Sequence, residues 1–243
     1  MTVEQVKEET FKLIDALKAT CQQYGMGNDG NEYKIITQVF LYKFLNDKFC
    51  FEVKKLPIAK KIMAAESFEK GYAALSEDDR LDLLDMLDAN IPRLKPEHLI
   101  GNLWSQQANG NFDTIFDATM TNIADDNIEI FNTHTSDETK IPIFENLTVF
   151  VTDTAQRASF ARALTDKLIK FSFEEVFSQR YDFFATIFEY LIKDYNTAGG
   201  GKYAEYYTPH SIATIMARLL VGNAKDLHNI ECYTTPAQEQ ERF

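Results

Sequence analysis

The sequence predicts a mainly α-helical protein: an N-terminal helical bundle over residues 1–153, then the opening helices and first strand of an α/β domain over residues 154–243. Three observations carry this. Apolar residues recur at i, i+3, i+4 spacing in most segments. The stretch Glu32–Leu56 is apolar on nearly every side of a helix, as a buried rod must be. Only His228–Tyr233, after a helix, shows the alternation of a strand beginning a sheet. With 45% apolar residues in a 243-residue chain, a sizeable core is available.

Thr2 and Gln5 form a possible capping box, and Val6, Thr10, Leu13, Ile14, Leu17 and Cys21 keep helical spacing to about Tyr24. Gly25–Asn31 is a loop lacking the alternating acids of a calcium site. In the rod that follows, Ile35, Ile36, Val39, Phe40, Leu41, Phe44, Leu45, Phe49 and Phe51 are core. Pro57 breaks it, and a short helix runs to about Ala65. Ser76-Glu77-Asp78-Asp79 opens a helix with Leu81, Leu84 and Leu87 inward, its acids sitting where the helix dipole favours them. Leu99, Leu103 and Trp104 mark a further short helix, and Phe112, Ile115, Phe116 and Met120 another. Asn132–Lys140 lacks any apolar residue and is a surface loop, followed by an extended piece within Ile141–Val151.

Asp153 or Thr154 caps a helix bearing Phe160, Leu164, Leu168 and Ile169, and Phe171–Phe177 is an amphipathic link. Glu174 and Glu175 point to opposite sides of any helix and make no acid/base dyad. A helix from Tyr181 to Tyr195 leads into Gly199-Gly200-Gly201 and the tyrosines Tyr203, Tyr206 and Tyr207. Thr208 then caps, and Pro209 starts, a helix whose Ile212, Ile215, Met216, Leu219 and Leu220 form one core-packed face, with Gly222 as its stop. An exposed helix N-terminus suits a carboxylate or phosphate, although spacing alone fits an ordinary capped helix as well. A phosphate-cradling P-loop does not fit, because Tyr203 follows Lys202.

A net charge of −12 argues against a surface that attracts nucleic acid by itself, and no basic stripe interleaved with aromatics stands out. Cys21, Cys50 and Cys232 form no CxxC pair, so neither a disulfide frame nor a structural zinc site is expected. That cysteine usage points to a reducing cytoplasm, and because the run Ile35–Phe51 is interrupted by Lys43, Asn46, Asp47 and Lys48, no membrane span is expected. Asn146-Leu147-Thr148 spells a glycosylation sequon by accident of composition. His98 and His134 stand singly and are read as structural or solvated, and no metal site is expected.

Three stretches carry a family resemblance. Tyr203-Ala204-Glu205-Tyr206-Tyr207-Thr208-Pro209 resembles the (F/Y)-(F/Y)-T-P element that opens the methyltransferase domain of modification (M) subunits of type I restriction–modification systems. Phe188-Glu189-Tyr190-Leu191-Ile192 resembles the segment before it. Asn31-Glu32-Tyr33-Lys34 through Phe44-Leu45-Asn46-Asp47-Lys48-Phe49 resembles the family's N-terminal helical domain. The resemblance implies a Rossmann-like adenine-N6 DNA methyltransferase domain from residue 154 and S-adenosylmethionine as cofactor. It also implies specificity and restriction subunits as partners, with DNA touched only in the assembled complex. It places Tyr206, Tyr207, Thr208 and Pro209 on the cofactor side, with His210 a further candidate, and assigns no catalytic residue.

The tail departs from the family. Where relatives carry a glycine loop against the cofactor, this chain reads Thr234-Thr235-Pro236-Ala237-Gln238-Glu239-Gln240-Glu241-Arg242-Phe243. Codons permitted for that run, read in another frame, spell Asp-Pro-Ser-Ala-Gly-Thr-Gly-Thr-Leu, the glycine loop itself. A frameshift near Tyr233 and a truncated subunit are therefore expected. The family's Pro-Pro loop for the flipped adenine is also absent from the chain. An inactive chain with weak cofactor binding is the expectation, and an acidic cytosolic all-α interaction module is the alternative.

Overall fold

Helix α2, Gly30–Val53, is buried on almost every side, which is why its sequence shows no single polar face. In the computed structural model, described for residues 3–27, 30–131, 133–134, 140–177, 190 and 210–221, the other elements gather around it. Helix α1, Val3–Gln23, lays Val6, Thr10, Leu13, Ile14, Leu17 and Cys21 into the core along the predicted stripe. It stops at Gly25, whose φ of 83° is a left-handed conformation that glycine takes without steric cost. There the Gly25 N–H reaches the Gln22 carbonyl at 3.1 Å and the Met26 N–H the Cys21 carbonyl at 2.9 Å, satisfying the last turn and burying Met26.

After Pro57 come α3, Ala59–Ile62, and α4, Phe68–Ala73, capped by Ser67. Helix α4 escapes the sequence reading because it is too short to show a period. A Cβ at Gly71 would lie 1.9 Å from the Ile62 carbonyl oxygen, so glycine is what lets α4 pack on α3. Helix α5, Glu77–Asp85, is capped by Ser76, whose hydroxyl accepts the Asp79 N–H. Of the expected inward residues Leu87 is buried and Leu84 packs partly buried against the core, but Leu81 is 56% exposed and Leu83 takes the buried place instead. Leu83 and Leu87 are an i, i+4 pair on one face with Leu84 at its edge, and that face turns Leu81 to solvent.

A 3₁₀ turn, Pro96–His98, leads into α6, Ile100–Ser105, and α7 spans Phe112–Asp126. Two-residue strands β1, Thr133–His134, and β2, Lys140–Ile141, pair antiparallel, so the extended piece expected within Ile141–Val151 is confined to its first residue. Beyond it, Leu147 and Thr148 are held by Asp117 of α7. The carboxylate accepts from the Leu147 N–H (2.9 Å), the Thr148 N–H (3.1 Å) and the Thr148 hydroxyl (2.6 Å). The threonine of the accidental sequon is thus buried.

Asp153 caps a 3₁₀ turn that runs into α8, Arg157–Leu168. Helix α8 packs on α1, α6 and α7, with Phe160, Leu164 and Leu168 fully buried. The core therefore runs on across the sequence-based boundary at residues 153/154, as far as Val176 of α9, Glu174–Phe177. The side chains of Cys21 and Cys50 lie inside it, 0% and 7% exposed, and no disulfide joins them. The last described element, α10, spans His210–Val221. Among the described residues no helix is long and apolar enough to cross a membrane.

Candidate functional site

The link from α8 to residue 177 is the approach to the stretch that sequence marks as functional, and α2 fixes it. At the middle of α2, Lys43, Asn46 and Asp47 share one face at i, i+3, i+4 spacing, and all three are buried. The Lys43 ammonium lies 2.9 Å from one Asp47 oxygen, and the Asn46 amide donates to the same oxygen at 2.9 Å. The other Asp47 oxygen accepts the Phe173 N–H at 2.7 Å. Asn46 in turn accepts the Ile100 N–H, the first of α6, at 3.0 Å. A charge that deep is tolerable only when paired and hydrogen-bonded, and here both conditions hold.

Around this centre the link is held by rings and one ion pair. Phe173 sits edge-on to Phe40 at 5.1 Å, and Phe177 packs edge-on to Phe44 at 5.2 Å and tilted against Phe51 at 5.4 Å. Glu174 pairs with Lys54, the residue just after α2, at 2.6 Å. Tyr190 stacks on Phe11 of α1 with centroids 4.0 Å apart and planes 21° from parallel. These contacts were missed in the sequence, although the three polar residues at helical spacing inside an apolar rod were their signal.

The cofactor-side residues Tyr206, Tyr207, Thr208 and Pro209, the glycines before them and the strand expected at His228–Tyr233 lie outside the described residues. His210 is the first residue of α10. The expectation that α10 packs its apolar face in a core is corrected: Ile212, Ile215, Met216 and Leu219 are 48%, 58%, 54% and 77% exposed. Amphipathic spacing states that a face needs cover, and the described part of this chain does not supply it.

Elsewhere the polar groups serve the fold. His98, 1% exposed, accepts the Lys95 N–H through Nδ1 at 3.2 Å, and its Nε2 lies 3.8 Å from Asp126. Asp79 on α5 is paired with Lys61 and Ser76. A cleft of about 450 Å³ between Tyr24, Asn31, Phe150 and Asp153 holds no nucleophile with a base beside it. Among the described residues no group of three or more His, Cys, Asp or Glu side chains is placed to hold a metal ion.

Residues 179–235 match the family model of the N-6 DNA methylases. The match begins just past α9 and takes in Tyr190, Tyr206–Pro209, α10 and the expected strand. That segment is therefore similar to adenine DNA methyltransferases, a family that generally uses S-adenosylmethionine. No curated protein and no solved structure matches the chain.

Proposed function

We propose that this chain is the N-terminal part of a type I modification subunit, whose intact form transfers methyl from S-adenosylmethionine to adenine N6 in DNA. The observation that carries the reading is the methylase match across residues 179–235, which contains the tyrosine–Thr-Pro element found independently by resemblance. In the intact enzyme Tyr206, Tyr207, Thr208 and Pro209 would border the cofactor and the helix from His210 would turn its amide end toward it. The cofactor supplies the methyl group. The helical bundle carries the segment into an assembly with a specificity subunit that reads the target and with a restriction subunit. By itself this chain methylates nothing, because neither the glycine loop nor a Pro-Pro base-holding loop occurs in it.

The test is the gene. Sequencing through the codons of residues 234–243 and beyond should show the glycine loop in a second frame, followed by a Pro-Pro motif. A sequence that encodes neither in any frame sinks the proposal. Calorimetry with the chain as it stands should show no micromolar binding of S-adenosylmethionine. A second reading, an interaction module without catalysis, draws support from the exposed apolar face of α10, and it gains if no methylase sequence lies downstream.

A further inference from the structure

We propose that Asp47 is a positioning residue, the centre of a clamp that sets where the chain enters the methylase-like segment. The inference rests on the methylase reading only for what is being positioned. Asp47 spends one oxygen on Lys43 and Asn46 inside α2 and the other on the Phe173 N–H, 126 positions away in sequence. Asn46 adds the start of α6, so adjacent residues of one helix fix two distant backbone points.

A buried ion pair is weak evidence for stability, since well-packed apolar replacements of equal volume are often no worse. The best-attested use of such a pair is to fix one register among several that apolar packing alone would accept. The ring contacts of Phe173 and Phe177 are apolar and non-directional, so by themselves they do not single out one register. The bond to the Phe173 amide removes that freedom six residues before the segment matching the methylases begins at 179.

The clamp also borders a cavity of about 210 Å³ lined by Lys43, Asn46, Asp47, Ser172 and Glu174 among others, large enough for several waters. The stack of Tyr190 on Phe11 is a second seat for the same segment, on the neighbouring helix.

Hydrogen–deuterium exchange on the full chain tests this with two double variants. Lys43→Met/Asp47→Leu removes both charges together and takes the acceptor from Phe173, whereas Lys43→Met/Asp47→Asn keeps an acceptor oxygen. With the first, exchange across residues 171–177 and at Tyr190 should rise about tenfold while α1, α7 and α8 keep their protection. With the second it should stay near wild type. Exchange that rises only at the Phe173 amide, rises evenly through the bundle or does not rise overturns the proposal, as does failure of the first variant to fold. None of these outcomes touches the reading of the gene, which stands or falls on its own sequence.

Discussion

The phenol of Tyr42 donates a hydrogen bond to the His98 carbonyl across 2.7 Å, with both residues buried. Helix α2 is thereby tied to the 3₁₀ turn ahead of α6, and burial pushes the Tyr42 phenol far above its ordinary pKa, so it remains a donor at any working pH. Tyr42→Phe leaves that carbonyl unpaired in the interior. Chemical denaturation should show a loss of about 1–2 kcal/mol with unchanged helicity.

His98 is the next groove in the same seam. Burial holds its imidazole below the ordinary value of 6.5, with Asp126 opposing. A histidine depressed in the folded state contributes stability that is present above 6.5 and is lost as pH falls toward its folded value. Wild type should lose thermal stability between neutral pH and about pH 5, and His98→Asn, which keeps an acceptor for the Lys95 N–H, should lose less over the same range.

Asp117 answers pH the other way. Burial raises its carboxyl, against the hydrogen bonds from Thr148 and Leu147 that favour the ionised form. A raised acid contributes most below its ordinary 3.8 and progressively less as pH climbs through the folded value. The gap in stability between wild type and Asp117→Asn should therefore narrow with rising pH across the acid range. Asp117→Ala, which strands two backbone N–H groups and a hydroxyl, should cost about 2–4 kcal/mol at neutral pH.

The register of α5 is checked by a pair of truncations. Leu83→Ala should cost about 2–5 kcal/mol by emptying a fully buried site, and Leu81→Ala should stay within about 0.5 kcal/mol. Equal costs would refute the register described above.

Replacing Met216 and Leu219 of α10 with serine should leave the thermal midpoint unchanged, since both face solvent. Binding of an apolar dye should fall, because an uncovered apolar stripe is what such dyes report.

Much of this fold was legible because helical spacing is a local property. The stripe of α1, the rod α2 and the buried face of α8 follow from apolar residues at known intervals. What stayed hidden depends on partners distant in sequence. Nothing near Leu81 or Leu83 says which one faces α5's neighbours, and nothing near Asp47 says that its oxygen awaits an amide at Phe173. The tyrosines at 206 and 207 were marked by a short motif, whose meaning comes from the family rather than from local physics.

The two thiols of the helical core offer a gauge of its integrity. Burial pushes the Cys50 thiol well up, and Cys21 has no solvent exposure at all, so neither is a nucleophile while the bundle stays closed. An alkylating reagent must wait for the protein to open. The pace at which masses shift at these positions then counts breathing events of the bundle directly, without any engineered label.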